Sequence, residues 1–152
     1  SSLSTNRDCS KSFVNPPMKF RTETPIQKRF NDMDCFQHIN NVCQQMYFDV
    51  AKSEFLAATL QGDATVDRMR VVTVATNTSY LAQVRFDDDT YVTTECEKIG
   101  NKSFTLLQRI YDRREGENAT IKTESRSVMV AFDFEAQQAV PVPDEWRKEL
   151  SR

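Results

Sequence analysis

Apolar and polar positions follow two rhythms along this chain. From Asn40 or Asn41 onward, Cys43, Met46, Tyr47, Val50, Ala51, Ala57 and Ala58 fall on one stripe at about 100° per residue. That spacing predicts a long amphipathic helix with an asparagine N-cap. Its end is expected near Gln61-Gly62, because glycine accepts the left-handed conformation that terminates helices. Glu54 falls near the middle of the stripe, where a carboxylate among apolar neighbours needs a partner.

The other rhythm has a period of two. Met18 to Phe30 reads as a first strand with Phe20, Thr22 and Thr24 on one face, and Pro25 places it at an edge or a bend. After the helix the texture turns to β, over Arg70 to Tyr80 and again over Tyr91 to Ile99. Gly100-Asn101 marks a hairpin turn, and Phe104 to Tyr111 follows with Phe104, Leu106 and Ile110 on one face. Glu115-Gly116-Glu117 marks another turn before a long last strand, Ala119 to Phe132. The proline and acidic residues of Val142-Pro143-Asp144-Glu145-Trp146-Arg147 predict a short closing helix. One strand, one long helix and an antiparallel run make an α+β plan, a curved sheet wrapped around the helix. Such a sheet has an open edge, which pairing with a second copy would continue.

Composition narrows the classes. A chain of 152 residues is one domain in size, and a net charge of -2 excludes a polybasic nucleic-acid binder. No apolar run reaches the ~20 residues a membrane span needs, and the first residues lack a secretory layout. A cytoplasmic protein is expected. Residues 1–17, rich in Ser and Asn and closed by Pro16-Pro17, read as a flexible leader to a single domain over 18–152. The four cysteines form no C-x-x-C pair and no metal-ligand spacing, so reduced thiols and no metal are expected. Cys35 as a nucleophile would have only His38, the single histidine, to activate it. The sequons at Asn77, Asn101 and Asn118 read as chance matches.

The chemistry concentrates in Phe30-Asn31-Asp32-Met33-Asp34-Cys35-Phe36-Gln37-His38-Ile39-Asn40-Asn41, a polar loop ahead of the helix. Aspartates beside exposed helix-start amides can attack a carbonyl, or activate water to do so, while those amides hold the oxygen. The loop also resembles the signature of hotdog-fold acyl-CoA thioesterases of the hydroxybenzoyl-CoA thioesterase type. Asp32, Asp34, His38, Asn40 and Asn41 fall on that pattern. Tyr47-Phe48-Asp49 and Ala51-Lys52-Ser53-Glu54-Phe55 resemble the family's helix, and Tyr80 to Asp88 its tyrosine-containing strand. Lys98 to Phe104 resembles its hairpin, and Pro143 to Trp146 its closing helix. Gln37 and Gln83 depart from the glycine and proline common there.

The resemblance implies a hotdog fold and an acyl-CoA thioesterase, working as a homodimer or dimer of dimers without a cofactor beyond the CoA of its substrate. It implies Asp34 as the catalytic group, either nucleophile or general base. Backbone amides around Gln37, His38, Asn40 and Asn41 would hold the oxyanion, Asp32 would brace the loop, and Tyr47 and Glu54 would stand at the pocket. Lys98, Lys102 and Arg126 are candidates for the CoA phosphates. Three rivals stay open: an acyl-carrier-protein thioesterase, a hydratase or dehydratase using Asp34 and His38, and a non-catalytic acyl-binding module.

Overall fold

A computed structural model describes residues 20–29, 32–33, 38–60, 69–86, 89–113 and 118–152, with 69 and 70 as backbone only. The leader expected over 1–17, the helix stop at Gln61-Gly62 and the turn at 115–117 lie outside them.

The elements follow in the order β1 (Arg21–Pro25), α1 (Asn41–Leu60), β2 (Met69–Tyr80), β3 (Asp89–Ile99), β4 (Ser103–Arg113), β5 (Thr120–Asp133), β6 (Gln138–Ala139) and α2 (Asp144–Leu150). They form one six-stranded sheet in the order β1-β3-β4-β5-β2, with β6 paired to β5. Every pairing is antiparallel. The chain crosses from β1 through α1 to the far edge, then returns as the β3-β4-β5 meander. This is the α+β plan the sequence predicts, with the curved sheet laid around α1.

Alternation decides what faces the helix. Phe104, Leu106 and Ile110 on β4 are all buried, as expected. Two apolar clusters fill the interior. One, around the first half of α1, holds Ile39, Tyr47, Phe48, Ala51, Val84, Val92 and Ile110. The other joins Phe55 to Phe104, Leu106, Met129, Trp146 and Leu150. Between them runs a row of polar side chains in register across five strands: Thr22, Thr94, Gln108, Ser125 and Thr78. Gln108 Nε2 donates to the Phe48 carbonyl at 2.9 Å and to Thr94 Oγ1 at 3.1 Å.

The helix face differs from the expected stripe. Its buried residues are Gln44, Tyr47, Phe48, Ala51, Phe55 and Thr59, a face rotated by about one residue, ~100°. Met46 and Val50 are instead about half exposed. Phe48 and Phe55 account for the rotation, since a buried aromatic removes ~150–250 Å² from water. The polar members of this face are satisfied: Gln44 donates to the Ile39 carbonyl and accepts from Thr123, and Thr59 donates to the Phe55 carbonyl. Glu54 therefore lies outside the buried face; it is exposed and accepts from Thr24 Oγ1 at 3.0 Å.

Candidate active site

The approach to α1 is fixed from two sides. Met33 pairs with Ile39 and His38 with Arg85 in antiparallel bridges, so Met33, His38 and Ile39 are held in place. The Ile39 N–H donates to the Val84 carbonyl at 2.9 Å, and the Asn40 N–H to the Asp32 carbonyl at 3.1 Å. Asn40 is the N-cap: its Oδ1 accepts the Cys43 N–H at 2.8 Å. The next two amides, Asn41 and Val42, have no acceptor among the described residues. Helix-start donors of this kind, aided by the macrodipole, suit a developing negative oxygen.

Asp32 braces this corner. Its Oδ2 accepts from Tyr47 Oη at 2.6 Å and from the Arg29 N–H at 3.0 Å, and its Oδ1 from Cys43 Sγ at 3.5 Å. Burial alone would raise the Asp32 pKa. The bonds from Tyr47, Arg29 and Cys43, with the Arg29 charge, outweigh it and hold the carboxyl below its ordinary value. The same contact raises Tyr47, through burial first and then the facing carboxylate. Cys43 is raised likewise, which leaves it a protonated thiol.

Two flanks lead away from the helix start. On the β1 side lies a groove of about 310 Å³, walled by Pro25, Ile26, Met46, Tyr47 and Val50, with Arg29, Asp32 and Cys43 at one end. On the β2 side the lining is polar. Gln45 Nε2 donates to Thr78 Oγ1 at 2.9 Å and to Tyr80 Oη at 3.0 Å, and Thr78 Oγ1 lies 2.9 Å from Ser125 Oγ.

The model of the thioesterase-like superfamily matches residues 28–150. The chain belongs to that family. Thioester hydrolysis is its enzyme class. A predicted thioesterase from Bacillus stearothermophilus is 30% identical, over 86% of this chain and 94% of that one, with a TM-score of 0.71. A Pseudomonas aeruginosa protein is 25% identical, over 85% and 88%, with a TM-score of 0.70. A mutant of 4-hydroxybenzoyl-CoA thioesterase, solved with 4-hydroxybenzoyl-CoA, has a TM-score of 0.76 over 86% and 99% at 14% identity. That identity speaks to the fold alone, the hotdog fold. No curated protein matches in sequence.

Against the family frame, the residues picked from sequence divide in two. His38, Asn40, Asn41 and Tyr47 gather at the helix start, with Asp32 as the brace. Asp34 and Gln37 lie outside the described residues. Glu54 stands about 20 Å along the helix from Asn41. Lys98 and Lys102 sit by the β3–β4 turn, beyond Cys96 and Phe104 of the second cluster and away from the loop. Arg126 is engaged with Glu97 Oε1 at 2.9 Å and Glu124 Oε1 at 3.0 Å. Gln45 and Thr78 escaped the sequence reading. Their available signals were the four-residue step from Asn41 to Gln45 and the alternation of Thr76, Thr78 and Tyr80.

Among the described residues, no helix is long and apolar enough to cross a membrane.

Proposed function

We propose that this thioesterase hydrolyses an acyl-CoA to the free acid and CoA, with Asp34 acting at the thioester carbonyl. The observation that carries the reading is the pair of amides at Asn41 and Val42, which have no acceptor among the described residues, at a helix start braced by the Met33–Ile39 and His38–Arg85 bridges. The acyl oxygen becomes an oxyanion between those N–H groups. Asp34 either attacks the carbonyl carbon, giving a mixed anhydride that water opens, or takes the proton from an attacking water. In both routes the C–S bond breaks and CoA leaves as a thiolate. A thiol of pKa ~8.5 leaves without strong acid help, so the chemistry needs no metal or cofactor. CoA as the thiol follows 4-hydroxybenzoyl-CoA thioesterase, which shares the fold.

We further propose a homodimer. Strand β2 is a twelve-residue edge strand with no partner on its outer side among the described residues. Val74, Tyr80 and Leu81 along and after it are 59%, 41% and 60% exposed. An open edge with apolar side chains is a template for a second copy.

The experiment is thiol release from a panel of CoA and carrier-protein thioesters, beside Asp34→Asn. The variant is expected to fold and lose about 10²–10⁴ in turnover, the range for a positioned acid–base group. Near-native turnover removes Asp34 from the mechanism. Label in the Asp34 carboxyl after a single turnover in ¹⁸O-water identifies the nucleophilic route, because it arises only when water opens the anhydride at the aspartyl carbon.

A further inference from the structure

Resting on the acyl-CoA thioesterase reading above, we propose that Gln45, Thr78 and Tyr80 select the acyl group, favouring short chains that carry a hydrogen-bonding substituent. The direction follows from the cap. Asn40 already occupies the Cys43 amide, and the Cys43 flank leads to the apolar groove. The open amides belong to Asn41 and Val42, four and three residues before Gln45 and so on its face of the helix. A carbonyl held there points its substituent along the Gln45 flank.

That flank is built of hydroxyls and an amide. Gln45 bridges Thr78 and Tyr80, Thr78 meets Ser125, and Thr76 Oγ1 lies 3.5 Å from Ser127 Oγ. Gln45 Oε1 has no donor among the described residues, which leaves an acceptor for a substrate hydroxyl. Thr78 is also the open-edge end of the polar row that crosses the sheet. An unsubstituted alkyl chain laid here strips water from these groups and returns no hydrogen bond. Sites built to bond a substrate hydroxyl reject the analogue lacking it far more strongly than apolar sites discriminate. Length is bounded as well. Lys52, seven residues beyond Gln45 on the same face, has a side chain only 12% exposed and stands about 10 Å further along the helix.

The test compares kcat/KM for two matched pairs, 3-hydroxybutyryl-CoA against butyryl-CoA and 3-hydroxyhexanoyl-CoA against hexanoyl-CoA. The hydroxylated ester of each pair is expected to be favoured by at least about tenfold. Gln45→Leu and Thr78→Val bring the ratio close to one while alkyl ester turnover persists. Val50→Ser, on the apolar groove, leaves the ratio unchanged. Preference for the alkyl esters, or a ratio indifferent to Gln45→Leu and Thr78→Val, overturns the selection while thioesterase activity stands. Hydrolysis of no ester at all removes the functional reading, and this inference with it.

Discussion

Tyr47 Oη lies 2.6 Å from Asp32 Oδ2, which ties the second turn of the long helix to the loop before it. Both residues are buried, so the bond forms where water cannot replace it. It holds the helix start and Asp32 as one unit, and the reaction geometry proposed above depends on their relative position.

Tyr47→Phe removes the strongest of the donors that oppose burial of the Asp32 carboxyl. The loss is expected to be about 1.5–3 kcal/mol, the range for hydrogen bonds to charged groups. The sign with pH follows from Asp32, whose pKa is lowered from 3.8 on folding. Its stabilisation is present above that value and is lost as pH falls through the lower folded pKa. The variant is therefore expected to unfold at higher pH in an acid titration followed by circular dichroism. An unchanged acid midpoint would show that the bond contributes nothing.

Asn40→Ala leaves the Cys43 amide without its cap and costs about 0.5–2 kcal/mol. Activity should fall more than that loss explains, because the neighbouring Asn41 and Val42 amides lose their fixed aim. Asn40→Asp, which can still accept the Cys43 N–H, is expected to keep most of the stability. Thermal melts read beside kcat for the two variants decide this.

Arg126→Ala breaks an exposed ion-pair cluster on the outer face of the sheet. Hydrogen bonds from Arg109 first, and then Arg126, hold Glu124 below the usual carboxylate range, so Glu124 keeps Arg109 when Arg126 is lost. With the Arg126 side chain 46% exposed, the expected cost is under about 1 kcal/mol. KM for CoA esters is expected to stay the same. A several-fold rise in KM would return Arg126 to the phosphate site.

Val74→Lys places a charge at the irregularity of β2, between Thr73 and Ala75 on the open edge. Light scattering after size exclusion is expected to show a shift from dimer to monomer at micromolar concentration. A dimer unaffected by the lysine would move the subunit contact elsewhere.

The sequence made the elements and their order readable because α1 and the strands carry clear periods. The side of the helix that faces inward was not readable. Counting apolar positions favoured Met46 and Val50, whereas packing rewarded the bulk of Phe48 and Phe55 and accepted Gln44 and Thr59 once bonded. The bracing role of Asp32 was legible from the loop pattern, but its donor Tyr47 stands fifteen residues away. Charges were the least legible. Nothing in the spacing of Arg126 reveals Glu97, which the register of the sheet brings to it, whereas Glu124 shares its face two residues earlier on the same strand. Which end of the sheet receives Lys98 and Lys102 likewise depends on strand direction, a property of the fold.

The line of threonine, glutamine and serine through the middle of the sheet divides the interior into two oily compartments. Loosening at the pole where the reaction is proposed need not breach the compartment around Trp146, so that end can breathe while the other keeps the chain folded. Slow amide exchange should concentrate around Phe104 and Met129, and faster exchange around Ile39 and Val84.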